Sequence, residues 1–578
     1  MTLKLARTPM QRRAAQALVT LASAVLVACS NSDPAPTAPV TPQPATLALT
    51  GTASAGGALA ARPVDARCAV GTGSTTTAAD GTYTLSLTGG SLPCVPRVTA
   101  ADGTVLHSLA IGSGATAKAN LTPVSNLVVA RLSGGPPANY YSAFDAVAAA
   151  ALTAAKTDAA VTAVLDILKN GGIDFSALGN VLNGTLVAAN GGTAGNASDQ
   201  ALDVLKARLA SSGTTLAALT DTVARGSPVA PSATLSGVPT LPADLLLQPA
   251  AANCAAMRSG RYRFMNAAPS SNGQFFTGLL TLNASTQSLT DPSGQVVPLV
   301  ANGSCRYTFQ NGTAVNEIVV SQAGVLVART VEAEVFRLAV VFPEQSHALA
   351  DLAGEWNMLK MEAPTATAPV ALVSATFTID AAGVVTAVSS CPDLRTCQPG
   401  PTPLRFSANA AGGFDFKNTA DSTTAGRVFM FRSGGGEPML VRTDLGGSIL
   451  IATRKRKNSL PTVDTVSSGW SVGLDNQGRA ASAITEFKNT ILSVDSTAGT
   501  LVRANVFNIT TGATVNETLA INTPRDGYTN RRAATGVTGS DGSVRTVSEF
   551  ISLNLRGTGL VPVALQAFNQ FVVSVNKP

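Results

Sequence analysis

Histidine is nearly absent from this sequence: only His107 and His347 occur in 578 residues. Because most hydrolase triads and many zinc sites need at least one imidazole, few such centres could be built from this chain. No P-loop, His-Glu-x-x-His or EF-hand loop motif occurs either. The sequence therefore predicts a protein that is not an enzyme and that uses no cofactor and no metal.

Charged residues are also scarce, at 13% of the chain, and their signs almost balance. The formal net charge of +6 falls to +2 without the four basic residues near the start, which leaves 36 basic and 34 acidic residues. This balance gives no basis for nucleic-acid binding through bulk charge. Apolar residues make up 45% of the chain, enough for sizeable cores, and the length suggests about three to five domains.

The first 28 residues have the parts of a secretory signal. A basic start without any acidic residue comes first, formed by Lys4, Arg7, Arg12 and Arg13. An apolar run over residues 14–28 follows, and it is too short to be a stable membrane span. We therefore predict a cleaved signal peptide over residues 1–28.

The signal ends in Leu26-Val27-Ala28-Cys29, which resembles the lipobox of bacterial lipoproteins. The resemblance implies that Cys29 is lipidated and that acyl chains attach the mature protein to a membrane. Residues 29–46 contain five prolines and few bulky apolar residues, so we expect an extended stalk. Ser30 and Asn31 stand where an Asp often signals inner-membrane retention. The expected location is thus the outer membrane of a Gram-negative bacterium, facing the periplasm or the cell surface.

Six of the seven cysteines remain after Cys29 is assigned to the lipid. Six cysteines allow 15 pairings, and pairing of neighbours is the economical one in an oxidising compartment. It joins Cys68 with Cys94, Cys254 with Cys305, and Cys391 with Cys397. Zinc is the rival explanation, but no Cys-x2-Cys spacing occurs and neither histidine lies near a cysteine.

Residues 47–121 show short alternating runs between Gly-rich turns, the pattern of a small β-sandwich. After the turn at Asp80-Gly81, alternation predicts that Tyr83, Leu85 and Leu87 share one face of a strand. This stretch, with Gly51-Thr52-Ala53 and Gly57-Ala58-Leu59, resembles the carboxypeptidase regulatory-like fold, which is immunoglobulin-like. The resemblance implies a structural or adhesive module without catalytic residues.

Residues 122–225 change to helical periodicity. Thr122-Pro123 predicts a helix start, and further helices are expected around Val164, around Leu205 and around Leu219. Their apolar stripes could serve a partner, but mutual packing as a small bundle is the simpler interpretation. Residues 226–250 contain five prolines and are expected to be a linker.

Residues 251–578 are β-rich and hold a weak internal repeat, which predicts three related units over 251–346, 347–463 and 464–578. Each unit opens with a glycine one or two residues before an aromatic residue, at Gly260, Gly354 and Gly469, and each then continues into a strand that ends at an Asn or Asp turn. The overall expectation is a mainly β, multi-domain protein: an Ig-like sandwich, a small helical region and C-terminal antiparallel meanders or barrel-like repeats.

Gly354-Glu355-Trp356 resembles the opening of lipocalins and related up-and-down barrels. That resemblance implies that the aromatic residue closes one barrel end and that the interior can hold one small ligand. The first unit has Tyr262 at the Trp position, and in the third Trp470 follows Gly469 directly. The alternative is a set of meanders with filled cores.

The remaining candidates for function are few. The basic run Arg454-Lys455-Arg456-Lys457 is a candidate contact surface for anionic lipid or polysaccharide, or else a solvated loop. The loop Cys391–Cys397 is expected to be an exposed tip that could contact a partner. His107 is expected to be structural and His347 solvated. The acidic residues that a glycosidase would need are scattered, at Glu332, Glu334, Glu344, Asp351 and Glu355.

Together these observations predict a non-catalytic lipoprotein of the cell envelope with a structural, adhesive or binding role. Its partners would be the membrane, through the lipid anchor, and an envelope protein or glycan. One alternative is a carrier of a small apolar ligand in a lipocalin-like barrel. A second alternative is an envelope hydrolase that uses carboxylates. The ligand and the oligomeric state are left open by the sequence.

Overall fold

The computed structural model describes residues 46–175, 178–225, 241–267, 275–332, 335–364, 368–400, 404–418, 424–481 and 483–578. Over these residues the chain is mainly β and multi-domain, as predicted, with an N-terminal sandwich, a group of helices and three large C-terminal sheets. The predicted signal peptide, Cys29, the stalk up to residue 45 and residues 226–240 of the linker lie outside the described residues.

Seven strands build the sandwich: β1 (Thr46–Thr52), β2 (Pro63–Val70), β3 (Thr72–Thr76), β4 (Thr82–Thr88), β5 (Ser91–Thr99), β6 (Val105–His107) and β7 (Thr116–Lys118). One sheet has the order β4-β1-β7 and the other β3-β2-β5-β6. Tyr83, Leu85 and Leu87 are all buried while the residues between them are exposed, which confirms the predicted alternation along β4. A disulfide joins Cys68 and Cys94, which face each other on β2 and β5.

Six helices follow: α1 (Pro123–Ser133), α2 (Pro137–Ser142), α3 (Ala146–Ala151), α4 (Ala154–Asn170), α5 (Ala197–Ser212) and α6 (Leu216–Arg225). The predicted start at Thr122 is confirmed, because its hydroxyl accepts a hydrogen bond from the Ser125 amide at 3.0 Å. The apolar stripes pack into one cluster that includes Val164, Leu205 and Leu219, so mutual packing was the correct interpretation. Leu247, from the 3-10 turn Leu245–Leu247, is fully buried in the same cluster.

The first C-terminal sheet, which we call the open sheet, has nine strands in the order β13-β12-β11-β10-β18-β17-β16-β15-β14. Its strands are β10 (Gly260–Asn266), β11 (Thr277–Asn283), β12 (Ser288–Thr290), β13 (Val296–Pro298), β14 (Val300–Ala301), β15 (Arg306–Asn311), β16 (Ala314–Val320), β17 (Leu326–Glu332) and β18 (Val335–Pro343). A short hairpin of β8 (Ala250–Ala251) and β9 (Cys254–Arg258) precedes it. The disulfide Cys254–Cys305 ties this hairpin to the start of β15.

The second sheet, which we call the central barrel, follows the 3-10 turn Leu349–Leu352. Its strands are β19 (Gly354–Glu362), β20 (Ala371–Ile379), β21 (Val384–Cys391), β22 (Gln398–Pro399), β23 (Leu404–Ala408), β24 (Phe414–Asn418), β25 (Thr424–Arg432), β26 (Pro438–Thr443) and β27 (Ile449–Arg454). The order is β20-β19-β27-β26-β25-β24-β23-β21-β22, and β20 also pairs with β21. Eight of the strands therefore form a closed up-and-down ring, with β22 attached to β21.

The third sheet, which we call the terminal barrel, closes in the order β28-β29-β30-β31-β32-β35-β36-β37. Its strands are β28 (Val466–Leu474), β29 (Thr485–Asp495), β30 (Thr500–Asn508), β31 (Ala513–Ile521), β32 (Tyr528–Arg531), β35 (Phe550–Leu553), β36 (Leu560–Leu565) and β37 (Gln570–Asn576). A separate hairpin, β33 (Ala534–Thr538) and β34 (Val544–Val547), is inserted before β35, and the 3-10 turn Gln566–Phe568 precedes β37.

One large apolar cluster connects the three C-terminal sheets. It contains Tyr262 from the open sheet, Leu359 and Ile451 from the central barrel, and Trp470 and Val573 from the terminal barrel. The inward residues of the central barrel form their own cluster around Trp356. The central barrel therefore has an outer wall packed against its neighbours and an interior that is separate from that contact.

We expect the disulfides to differ in their contribution to stability. Cys254 and Cys305 are 51 residues apart and Cys391 and Cys397 only six. Because cross-linking a longer loop removes more entropy from the unfolded chain, replacing both members of the first pair by serine should cost about 4 kcal/mol, against about 2 kcal/mol for the second. Urea unfolding followed by hydrogen exchange measures both, and a larger loss from the short loop would contradict this order.

Candidate central-barrel ligand site

The interior of the central barrel contains a cavity of about 310 Å³. Because side chains alternate along each strand, every second residue of the ring points inward. Eleven of the fifteen lining residues are apolar and come from all eight strands of the ring. They are Met358, Val373, Phe377, Val385, Val388, Leu404, Phe406, Phe416, Val428, Leu440 and Leu450. An apolar space of this size falls in the range of small-molecule sites, about 300–1,000 Å³.

Trp356 closes one end of this interior and is fully buried. Its indole N–H donates to the carbonyl of Leu352 at 2.8 Å, in the 3-10 turn just before the strand. The guanidinium of Arg454 lies over the indole ring at 4.1 Å and donates to the carbonyls of Asp351 and Leu352 at 2.8 and 3.3 Å. Burial, with the nearby charges of Arg432 and Arg456, lowers the pKa of Arg454 to about 10. This end is therefore sealed by an aromatic ring and held by a cation.

The expectation that an aromatic side chain closes a barrel end fits the second unit and not the other two. Tyr262 shares one contact with Trp356, because its hydroxyl donates to the carbonyl of Arg258, four residues earlier, at 2.9 Å, but it belongs to an open sheet and lies in the apolar cluster between the sheets. Trp470 belongs to the same cluster between the sheets. The interior cluster of the terminal barrel is formed by other residues, among them Ile491 and Phe550. Without an intervening residue after Gly469, the aromatic ring falls on the opposite face of the strand.

Charged side chains occupy the other half of the cavity. Lys360 pairs in register with Leu450, and Leu450 pairs with Arg442, so the two cations stand in one row on either side of a leucine. Neighbouring strands are about 4.8 Å apart. Lys360 and Arg442 are two strands apart, so their Cα atoms are separated by about 10 Å. Glu362 lies one inward position further from Trp356 than Lys360 and accepts a hydrogen bond from it at 2.7 Å.

Arg442 has no carboxylate within ion-pair distance in the described part of the chain. Its guanidinium donates to the carbonyl of Ala425 at 3.1 Å and lies over the Phe416 ring at 4.4 Å. Burial lowers the pKa of Arg442, and the negative charges of Asp444 and Glu362 act in the opposite direction. A guanidinium in this position keeps its charge, and it can still donate hydrogen bonds to a bound molecule.

A second, larger space of about 1,010 Å³ is a polar groove between the helices and the C-terminal sheets. It mixes charges of both signs, among them Asp244, Arg261 and Arg432. Burial raises the pKa of Asp244 and lowers that of Arg432. Glu344, also in the groove, is bound by Arg263 at 2.7 Å. This groove does not combine an apolar interior with a defined polar group as the central barrel does.

The basic run 454–457 is distributed over several contacts. Arg454 covers Trp356, Lys455 reaches Glu355 at 3.3 Å, and Arg456 binds the buried carboxylate of Glu437 at 2.5 Å. The backbone carbonyl of Lys457 accepts a hydrogen bond from Arg556. The structure thus places the run at the junction of the central and terminal barrels, with three of its four side chains engaged.

The loop Cys391–Cys397 carries the predicted disulfide and most of its residues are exposed, as expected of a loop tip, but it is anchored at two points. Leu394 is 1% exposed and its carbonyl accepts a hydrogen bond from Ser374. Arg395 forms an ion pair with Glu549 of the terminal barrel. The apolar Leu394 side chain belongs to the large apolar cluster of the C-terminal sheets, which anchors the centre of the loop.

The two histidines lie in different surroundings. His107 is buried on β6, where it contacts Asn126 at 2.9 Å, and burial lowers its pKa, in keeping with a structural role. His347 was expected to be solvated, but its side chain is only 11% exposed and lies 3.7 Å from Asp351. That contact holds the pKa of Asp351 below its ordinary value. The ring also contacts the side-chain oxygen of Gln345 at 3.1 Å, so protein groups take the place of much of the solvent around it.

In the part of the chain that the structure describes, the features expected of a hydrolase do not lie together. Gly469–Gly473 matches the Gly-x-Ser-x-Gly pattern of serine hydrolases, but it lies within β28 and the hydroxyl of Ser471 contacts Ser574 at 3.0 Å. Glu344 and Glu355 pair with different basic residues, Arg263 and Lys455. The side chains of Glu332 and Glu334 lie outside the described residues.

In the described ranges, no group of three or more His, Cys, Asp or Glu side chains could hold a metal ion. A membrane-spanning helix was also sought in the same ranges, and none of the helices there has the length and apolarity required.

Two buried ion clusters were missed by the sequence reasoning. In the terminal barrel, Glu517 is 1% exposed and is bound by Arg503 at 2.8 Å and Arg531 at 2.6 Å. In the open sheet, Glu317 is bound in the same way by Arg306 and Arg329, at 2.8 and 2.9 Å. Each cluster spans three consecutive strands, β15 to β17 or β30 to β32. Only the strand register brings these residues together, so no local sequence motif predicts the two ion clusters.

No family model and no curated protein sequence matches this chain. Among solved structures, a protein of unknown function from the DUF3598 family of Nostoc punctiforme is 12% identical, with 40% of this chain and 100% of that chain covered and a TM-score of 0.15. Transferrin binding protein B of Neisseria meningitidis is 9% identical, with 53% and 67% covered and a TM-score of 0.15. A double mutant of the Haemophilus parasuis protein is 10% identical, with 55% and 75% covered and a TM-score of 0.15. These similarities are too low to carry an argument about function.

Proposed function

We propose that this chain is a lipid-anchored protein of the bacterial cell envelope that binds a small, mainly apolar ligand inside its central barrel. The observation that carries the proposal is the cavity of about 310 Å³ within a closed ring of eight strands. A barrel of eight strands is just wide enough either to be filled by side chains or to hold one small ligand. Here the side chains leave part of the interior empty.

The seal at Trp356 supports the same function. A ligand gains affinity from an apolar cavity only if water is excluded from it, and a fully buried indole fixed by Leu352 and Arg454 closes one end. The outer wall of the barrel packs against the two neighbouring sheets, which holds the cavity in shape. A largely preformed cavity avoids part of the entropy cost of ordering a site when the ligand binds.

The proposal can be tested with the neutral fluorescent probe N-phenyl-1-naphthylamine and the purified full-length protein. We expect saturable binding of one probe per chain. Val388→Trp should fill the cavity and weaken binding at least tenfold, whereas Val466→Trp, at a position that is 55% exposed on the terminal barrel, should not. Absence of saturable binding, or equal binding by the two variants, would overturn the proposal.

The anchor is tested separately through Cys29. We expect Cys29→Ser to abolish lipidation and to release the protein from the membrane fraction, because the acyl chains can no longer be attached. Labelling with a radioactive fatty acid, together with fractionation of the producing cells, measures both effects. Unchanged membrane retention of the serine variant would contradict the lipid anchor.

A further inference from the structure

The charges in the central cavity are unequal in number. Its lining contains the cations Lys360 and Arg442 but only one anion, Glu362. Lys360 and Glu362 bind each other at 2.7 Å, so their charges cancel locally. Arg442 makes no direct ion pair in the described part of the chain, and the carboxylates of Glu362 and Asp444 act on it only from a greater distance. An ion in such surroundings is costly unless a partner of opposite sign compensates it.

The charged side chains of the cavity lie at the end away from Trp356. Inward positions along a strand recur every two residues, about 7 Å apart. Trp356 forms the sealed end, Met358 the next inward position on β19, Lys360 the third and Glu362 the fourth. On β26 the inward pair is Leu440 and then Arg442, in the same order. The apolar part of the cavity therefore lies between Trp356 and the row that holds the two cations.

Resting on the proposed function, we infer that the ligand is an amphiphile with one negatively charged head group, which Arg442 and Lys360 hold, and an apolar chain directed towards Trp356. A carboxylate accepts hydrogen bonds on both oxygens, so it can bind the free guanidinium edge of Arg442. Lys360 can contribute a second bond from two strands away while it stays in contact with Glu362.

The cavity also limits the size of the ligand. Since a water molecule takes about 30 Å³ of liquid, 310 Å³ has room for about ten atoms of that size. A chain of about ten carbons would fill the apolar part and leave the head group at the level of Lys360 and Arg442. Decanoate is therefore a suitable probe, with decanol and decylammonium as neutral and cationic compounds of equal chain length.

The experiment is competition of these three compounds against N-phenyl-1-naphthylamine on the full-length protein. We expect decanoate to bind about tenfold or more tightly than decanol, as one charge-assisted hydrogen bond would give, and decylammonium to bind no better than decanol. Arg442→Gln should remove the preference for decanoate, so that decanoate and decanol bind with similar affinity. Arg405→Gln, which removes an exposed cation from the same barrel, is the matched control and should change neither affinity.

Glu362→Gln is expected to strengthen decanoate binding, whereas Arg442→Gln is expected to weaken it. It removes the anion that neutralises Lys360, and because the Glu362 side chain is 46% exposed, the substitution should not disturb folding. Decanoate affinity should rise severalfold in this variant. If all three compounds displace the probe equally, or if decylammonium binds best, the inference about the head group is wrong while the proposed function stands. If neither probe nor decanol binds, the proposed function itself fails.

Discussion

Trp356→Ala is expected to destabilise the central barrel by about 3–5 kcal/mol, the usual cost of truncating a buried aromatic residue to alanine. The side chain is fully buried and packs against residues from several strands of the ring. Its loss also removes the surface on which Arg454 lies, which leaves a buried cation with less support. Hydrogen exchange of β19 and β27, measured together with urea unfolding, would locate the loss in this barrel.

Trp356→Phe separates packing from hydrogen bonding at the same position. The phenyl ring keeps most of the apolar volume but cannot donate to Leu352. Because Arg454 also donates to that carbonyl, at 3.3 Å, the acceptor keeps a partner and we expect a loss of only about 1 kcal/mol. Phe568→Ala, at a position that is 52% exposed, should change stability by less than about 0.5 kcal/mol. Similar losses for Trp356→Ala and Phe568→Ala would show that Trp356 does not close the barrel.

The parts of the fold that local sequence predicts well are those that depend on one element at a time. Alternation along Thr82–Thr88 requires only one buried face, and Thr122-Pro123 starts a helix through its own hydroxyl and ring. The Gly354-Glu355-Trp356 spacing led to the correct barrel end because these three residues are on one strand. In each case the interaction is local, and the chain order alone determines it.

The candidate ligand site is not local, which is why sequence reasoning gave only a general possibility of a cavity. Lys360 and Arg442 face the same cavity because β27 pairs with both β19 and β26. A shift of one residue in either pairing would turn one of the two cations to the outside of the barrel. Closure of the ring by the β20–β21 pairing has no sequence signal of its own. The same holds for the ion clusters around Glu317 and Glu517.

Glu517→Gln is the second substitution with a large expected effect, about 3–5 kcal/mol, because it removes one partner from a buried ion cluster. The carboxylate accepts two hydrogen bonds from Arg503, one from Arg531 and one from Asn505, at 2.6 to 3.1 Å. Glutamine keeps the shape but leaves both guanidinium groups without an anion inside the terminal barrel. Urea unfolding followed by hydrogen exchange of β30 and β31 measures the effect.

The matched control is Glu486→Gln in the same barrel. Glu486 binds Lys577 at 2.9 Å, but both side chains are 34% exposed, so solvent screens the pair and we expect a loss below about 1 kcal/mol. Comparable losses in the two variants would mean that burial of Glu517 does not decide its contribution.

The triple variant Arg503→Met, Glu517→Leu and Arg531→Met adds a further test. Because replacing a whole buried ion cluster by apolar residues is often neutral or stabilising, it should recover most of the stability that Glu517→Gln loses. Recovery would show that the single substitution is costly because of the unpaired arginines, whereas a further loss would mean that the ion cluster itself stabilises the barrel.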